Sequence, residues 1–477
     1  MQSSEQKDPS KWRGAAWPLL QSQLPGLTWP ALPSQQGLLL ATLLAQLEQS
    51  QWQAREEIEQ AQLRQLRLLL QHARRHSRFH AEHLAGMASG ETRLQERLAA
   101  LPLMHRTDLQ SRRPEIDCAW VPPEHGKPVL AQSTGSTGEP VGVLRTELNG
   151  LMWMAMTLRE HLWQRRDFGQ TLAVIRALIA TDDPNREGMR SPDWGSPVHH
   201  LFRSGPAHAL NLQTDIARQI EWLAQIRPGY LLTYPSNLAG LLDLVEADPA
   251  AGAGLRELRQ VRTIGETLSD ALRARCRRLL QVGIADLYST QEVGVIACEC
   301  PSGDGYHAMA EGVVLELLRE DGARCAHGEV GRIVVTDLHN FATPLIRYDL
   351  GDLAEADETP CACGRGLPKI RRILGRERNL LHLPDGRRLW PLLGSFTYRD
   401  IAPVRQYQVV QHDLAHVSLR LATERPLTPD EESRLAARLV EYLGFDCAVR
   451  CEYFEGRIPP GPGGKFEDFV SEIGRRG

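Results

Sequence analysis

Hydrophobic positions along the chain change period several times, and each change marks a region. From Gly37 to about Leu84 apolar residues recur at helical spacing, as in Leu63, Leu66, Leu70 and Ala73, which predicts two or three amphipathic helices with Arg and Gln on the solvated face. Residues 1–36 upstream are polar and proline-rich, with Trp12, Trp17 and Trp29; they predict an irregular arm pinned at aromatic points.

Between about 145 and 300 the pattern alternates. Helical Leu151–Trp163 precedes apolar Thr171–Ile179, helical Asp215–Ile226 precedes Tyr230–Thr233, and helical Ala239–Glu246 precedes Val261–Ile264; helical Asp270–Leu280 then leads to Ile284–Tyr288. Such alternation predicts a mostly parallel sheet covered on both faces. Ligands bind beyond the carboxyl ends of strands in sheets of this kind, which singles out Gly265-Glu266-Thr267 and Ser289-Thr290-Gln291-Glu292. From 310 to 350 strand patterns dominate, as in Val313–Leu317 and Gly331–Val335, with Asp321-Gly322 as a hairpin turn. They predict a β-rich subdomain, and the last 100 or so residues, mixed strand and helix, predict a small α+β lid.

One stretch stands apart from both periods. Gln132-Ser133-Thr134-Gly135-Ser136-Thr137-Gly138-Glu139-Pro140-Val141-Gly142 follows apolar Pro128–Ala131, and its glycines and hydroxyls suit a turn whose backbone N–H groups converge on phosphate. A Ser/Gly-rich surface loop is the alternative. Neither the Walker A pattern nor G-x-G-x-x-G is present.

A length of 477 residues fits about three domains, or one large domain with a satellite. Lys plus Arg total 55 against 59 for Asp plus Glu, which argues against a general affinity for nucleic acid or anionic membrane and for a small-molecule partner. The apolar run Leu38–Ala45 is interrupted by Gln46 and Glu48, too short to span a membrane, and no signal-peptide pattern opens the chain. A cytoplasmic protein is expected. Nine cysteines, an odd number, argue against a disulfide framework. Cys300 and His307 before the β-rich segment and Cys361-Ala362-Cys363 after it are candidate ligands of a structural Zn²⁺, with Cys298 an alternative to His307 and buried free cysteines the competing reading.

Taken in chain order, these stretches resemble the adenylate-forming superfamily of acyl-CoA synthetases, peptide-synthetase adenylation domains and firefly luciferase, with the phenylacetate–CoA ligase branch nearest. The 132–142 loop matches the family's phosphate loop, Tyr288-Ser289-Thr290-Gln291-Glu292 its Y-G-x-S/T-E motif, and Tyr348 to Asp352 its Y-R-T-G-D. Gly375-Arg376 matches the start of the hinge motif, and Gly463-Gly464-Lys465 the loop of the C-terminal lysine. Pro344 to Tyr348 and the helical stretch Leu68 to Phe79 read like phenylacetate ligases, some of which carry a similar C…H…C-x-C set.

The resemblance implies an α/β fold with a large N-terminal core, 1–375, of mostly parallel sheets and a β-rich subdomain, and a mobile α+β lid, 376–477. It implies a carboxylic acid, ATP and Mg²⁺ giving an acyl-adenylate and pyrophosphate, then transfer to a thiol, with coenzyme A and an aryl or arylalkanoic acid favoured. Ser133, Thr134, Gly135, Ser136, Thr137 and Gly138 would wrap the β and γ phosphates and Glu292 would hold Mg²⁺. Asp352 would take both ribose hydroxyls, Tyr288 would lie along the adenine, and Gln291 would donate a hydrogen bond. Gly265 and Glu266 would line the base and acyl pocket, Arg376 would reach ribose or phosphate, and Lys465 would bridge carboxylate and α-phosphate. A homodimer is compatible with the resemblance.

The chain departs from the family pattern in places. Glu139 and Val141 stand where the phosphate loop is usually basic, Gln291 replaces Ser/Thr, Asp349 and Leu350 replace Arg and Thr, and Arg378-Asn379 replace an acidic pair. A carrier-protein thiol or an amine as acceptor, adenylylation of a phenolic cofactor, or a degenerate nucleotide-binding protein remain alternatives. Candidate acid-pocket residues are His199, His200, Tyr234, Pro235, Ser236 and Asn237, with packing roles as the competing reading.

Overall fold

The structure is a computed structural model that describes residues 17–85, 93–132, 141–177, 188–376, 381–389, 398, 400–456, 458–459 and 466–473. Three helices, Gln35–Ser50, Arg55–His76 and Arg78–His83, occupy the stretch of helical period near the N-terminus. Ahead of them the arm is tied down by Trp17 edge-on to Phe202 and by a bridge between Leu20 and Phe202, while Trp29 is exposed.

Twelve strands form one sheet, in the spatial order Val313–Leu318, Val330–Asp337, Tyr348–Asp357, Lys369–Arg376, Tyr306–Ala308, Gly294–Glu299, Gly283–Thr290, Gln260–Ile264, Tyr230–Thr233, Leu172–Arg176, Ala207–Asn211 and Met189–Ser191. The five strands from Gly283–Thr290 to Ala207–Asn211 are parallel neighbours. All other pairings in the sheet are antiparallel. The sheet is therefore mixed rather than mostly parallel, and the expected β-rich subdomain is its antiparallel half.

Helices form where the sequence places apolar periodicity between caps. Asp215 caps Ile216–Ile226 by accepting from Ala217 N at 2.8 Å, and Arg227 at φ 44° ends it; Ser269 caps Asp270–Leu280 through Leu272 N. Helix Pro235–Ala247 starts four residues before its apolar pattern, with Pro235 in the first turn. The faces of Ile216–Ile226 and Pro235–Ala247 cover one side of the parallel half with Ile220, Leu223, Leu238 and Leu241. Helix Glu147–Trp163 covers the other with Ala155 and Leu158 against Leu287 and Val295. Each fully buried Leu contributes about 2–3 kcal/mol of transfer free energy.

Toward the C-terminus a four-stranded sheet, Ala448–Tyr453, His416–Thr423, Val404–Gln411 and Phe469–Ser471, packs on helix Pro429–Leu443 around its own core of Val409, Leu419, Leu435 and Leu439. Val129–Gln132 and Gly142–Arg145 form an antiparallel hairpin apart from the main sheet, and its tip, 133–140, lies outside the described residues.

Candidate active site

Parallel strands put their following loops on one edge, and here the loops after the neighbouring strands Gln260–Ile264 and Gly283–Thr290 lie side by side there. After Gln260–Ile264 the chain turns at Gly265, whose φ of +77° suits a residue without a side chain. The turn aims Glu266 at the start of helix Pro235–Ala247. Its carboxylate accepts from Ser236 N at 2.8 Å and Ser236 Oγ at 3.0 Å, supplying the helix N-terminus with the anion its dipole favours. It also accepts from Phe466 N at 3.2 Å, a contact between the main sheet's edge and the C-terminal region.

The next strand, Gly283–Thr290, folds back as a hairpin onto Gly294–Glu299. A register shift between Tyr288 and Ser289 and Gly294 at φ +104° make a tight tip that carries Gln291 and Glu292. Glu292 is buried and pairs with Arg106 at 3.2 Å, while Gln291 is exposed and its carbonyl accepts from Arg145 at 3.4 Å. Arg145 also stacks on Trp153, 4.4 Å from the ring centroid.

Asp352 reaches the same place from the antiparallel half. Opposite it in Val330–Asp337 the ladder skips, so that Ile333 alone faces Leu350-Gly351-Asp352. Gly351 at φ +70° and the Gly351 N–H donated to Asp349 Oδ1 at 2.9 Å shape this bulge. On the other side Asp352 is the register partner of Arg376. Its carboxylate is held at both oxygens: Tyr288 OH donates to Oδ2 at 2.6 Å and Arg376 Nε to Oδ1 at 2.9 Å. Arg376 further donates to Leu350 O at 3.0 Å. Burial, then the Asp352 charge, pushes the Tyr288 hydroxyl well above its ordinary value, so it stays a donor.

Glu292, Tyr288, Asp352 and Arg376, expected from three separate motifs, thus share one patch, with Gly265 and Glu266 on a neighbouring loop. Ser133, Thr134, Gly135, Ser136, Thr137, Gly138 and Lys465 lie outside the described residues. Of the acid-pocket candidates, Asn237 is buried and donates to Gln219 and Thr233, which is a packing role. His199 and His200 meet edge to face, and His199 lies beside Asp193. Arg106 was not singled out by sequence. It opens a polar helix, Arg106–Ile116, where an arginine has the look of a solvated residue.

Apart from this patch, Cys300, His307, Cys361 and Cys363 are all buried and hold their ligand atoms within 4.8 Å of one another. Cys300 Sγ and Cys361 Sγ are 3.6 Å apart and Cys363 Sγ lies 3.3 Å from His307 Nε2, close to the roughly 3.3–3.8 Å between ligand atoms around a tetrahedral zinc. His307 Nδ1 faces Leu367 O at 3.4 Å, which leaves Nε2 for the cluster. Cys298, the alternative ligand, packs instead into an apolar cluster with Leu287 and Val295.

No protein-family model matches the chain. Protein CapK of Staphylococcus aureus is 25% identical over 213 residues, 44% of this chain and 45% of that protein. The phenylacetate–coenzyme A ligase of Thermus thermophilus is 27% identical over 303 residues, 60% of this chain and 62% of the relative. The matches thus span about half to three-fifths of these two relatives. A phenylacetate–coenzyme A ligase of Escherichia coli is 25% identical over 335 residues, 68% of this chain and 72% of the relative. Among solved structures, 2-hydroxyisobutyryl-CoA ligase in complex with its acyl-AMP shares the fold at a TM-score of 0.68 and 17% identity, over 87% of this chain and 90% of that one. No helix among the described residues is long and apolar enough to cross a membrane. The chain is thus similar in sequence to phenylacetate–coenzyme A ligases and shares the fold of 2-hydroxyisobutyryl-CoA ligase.

Proposed function

We propose that this protein is an ATP-dependent, AMP-forming acid–thiol ligase that activates a carboxylic acid as its acyl-adenylate and passes the acyl group to coenzyme A, with an aryl or arylalkanoic acid as substrate. The observation that carries this reading is the convergence of Glu292, Tyr288, Asp352 and Arg376 from three separate strands and their turns. Asp352, fixed by Tyr288 and Arg376, keeps lone pairs for two ribose hydroxyls. A single buried carboxylate, Glu292, suits Mg²⁺, which takes few protein ligands and completes its shell with phosphate oxygens and water. The metal would neutralise charge on the departing pyrophosphate.

Ser133 to Gly138 supply backbone and hydroxyl donors to the same phosphates, and with Glu139 and Val141 at the usual basic positions the loop itself adds no cation. Lys465, one residue before the Phe466 N–H that meets Glu266, would stabilise the negative charge building between carboxylate and α-phosphate. The core comprises 1–375 and the lid 376–477, and the protein acts in the cytoplasm. The Cys300, His307, Cys361 and Cys363 cluster fits Zn²⁺ by distance and donor type, and four protein ligands leave no open position, which makes its role structural.

The test is pyrophosphate release across aryl, alkyl and amino acids, followed by thioester formation with coenzyme A. Release with an aryl acid and a coenzyme A thioester as product is expected. A stable AMP conjugate without thioester, or ATP binding without release, overturns the reading. Lys465→Ala is expected to lower adenylation by roughly three powers of ten, as for loss of a transition-state contact, while sparing thioester formation from preformed adenylate.

A further inference from the structure

A cleft of about 520 Å³ opens between helix Arg55–His76, the segment at Trp120 and His125, the first turn of helix Glu147–Trp163 and the loop at His339–Phe341. None of its lining residues belongs to the Glu292, Tyr288, Asp352 and Arg376 patch. Its size falls within the range of small-molecule sites.

Aromatic rings build its walls. His72 and His76, four apart on one helix, share a face, with ring centroids 4.7 Å apart. His76 continues to Trp120 at 5.1 Å, His72 to Phe341 at 4.7 Å, and Phe341 to His125 at 4.9 Å. Five rings thus follow one another around the cleft, yet Trp120 remains 50% exposed. A large ring left half in water at a concave surface has a face available for stacking.

The polar groups include donors suited to an acceptor. Arg75 and the amide of Gln71 line the cleft, as does Gln65, whose amide donates to Leu338 O, and among the described residues no carboxylate does. His72 Nε2–H donates to Phe341 O at 2.9 Å and is thereby fixed in place. His125 Nδ1 is buried with no hydrogen-bond partner among the described residues, a group that costs about 1–3 kcal/mol while unsatisfied. Four imidazoles invite a metal reading, but the only set of three or more such side chains close enough to hold an ion, among the described residues, is the cysteine cluster.

We propose that this cleft is a second ligand site, separate from the adenylation centre, and that it takes a planar aromatic ring bearing an anionic group. The ring stacks against Trp120 and the imidazoles, the anion faces Arg75, and an acceptor on the ligand takes the hydrogen bond of His125 Nδ1. An aryl carboxylate and a nucleotide both have this chemistry.

The test uses the full chain labelled with 5-fluorotryptophan, the Trp120 fluorine resonance being the one lost in Trp120→Phe. Phenylacetate and AMP are the probes; cyclohexylacetate and 2-phenylethanol are the controls lacking ring or charge. A saturable shift of the Trp120 resonance with either probe is expected, weakened about fivefold in His125→Ala or Arg75→Ala, the equivalent of one lost hydrogen bond. The tighter probe identifies the source. The proposal is overturned by no saturable shift with either probe or by an equal shift with either control. It is also overturned if both variants keep full affinity, or if Asp352→Ala abolishes the shift and so places the ligand in the adenylation centre.

Discussion

Asp352 and Arg376 stand opposite each other on neighbouring antiparallel strands, and Arg376 Nε donates to Asp352 Oδ1 at 2.9 Å. The pair joins the end of the large sheet to the point where the chain leaves it, so the carboxylate proposed to take the ribose is oriented by a residue of the segment proposed as the hinge. Tyr288 fixes the other oxygen. A carboxylate locked at both oxygens loses little further freedom when two hydroxyls arrive.

Asp352→Asn keeps the shape and removes the charge. It is expected to reduce kcat/KM for ATP in pyrophosphate release by about 100-fold, the size of a lost charge-assisted contact. Arg376→Lys keeps the charge without the planar fork and should lose about tenfold. An unchanged ATP dependence in Asp352→Asn would remove the ribose role.

Arg106 and Glu292 lie 186 residues apart in sequence and 3.2 Å apart in space. Because the pair is largely buried, its members should not act independently. A double-mutant cycle with Arg106→Ala and Glu292→Gln, read by chemical denaturation, is expected to give a coupling of about 1–2 kcal/mol. In activity Glu292→Gln should be the more damaging, with a raised Mg²⁺ requirement. Additive effects on stability would show that the pair is not formed in solution.

The cysteine cluster predicts about one zinc per chain in protein purified without a histidine tag, measured by elemental analysis. Cys363→Ser should lose the metal and lower Tm by about 5 °C or more, since the binding energy of a structural zinc adds to folding. Substoichiometric metal in the wild-type chain would sink the assignment.

The residues legible in the sequence are those whose signal is local. Tyr288, Glu292, Asp352 and Arg376 each sit in a short motif at a strand end or turn, and the helix caps Asp215 and Ser269 announce themselves by type. What escaped depends on long-range pairing. Arg106 meets Glu292 only because helix Arg106–Ile116 packs beside the Tyr348–Asp357 strand, as the Met104 N–H donated to Arg347 O shows. The antiparallel half joins the parallel half through the three-residue strand Tyr306–Ala308, which bridges Gly294–Glu299 and Lys369–Arg376. No period could reveal so short a link. The placement of His307 rather than Cys298 beside the other cysteines is of the same kind: the two are register partners and share one face of the sheet, so only the long-range position of Cys300, Cys361 and Cys363 separates them.

His80 supplies a pH dependence whose sign is fixed by its surroundings. It is buried, its Nε2 donates to Pro344 O at 2.9 Å, and its Nδ1 has no hydrogen-bond partner among the described residues. Burial pushes it down to about 4 from an ordinary 6.5, so the folded chain holds it neutral while the unfolded chain protonates. Its contribution is complete above pH 6.5 and is lost as pH falls from 6.5 toward 4, up to about 3 kcal/mol by linkage. His339, also lowered to about 4 by burial, acts in the same direction. Asp337 and Asp468, raised to about 6 by burial, act oppositely, favouring the folded state as pH falls from 6 toward 3.8. The clean measurement is therefore a difference: denaturation midpoints of wild type and His80→Gln from pH 7.5 to 4.5. Gln keeps a donor for Pro344 O without titrating, so the variant should lose less stability on acidification, and the two curves should converge below pH 6.5. Parallel curves across that range would mean that His80 does not titrate in the unfolded chain's window.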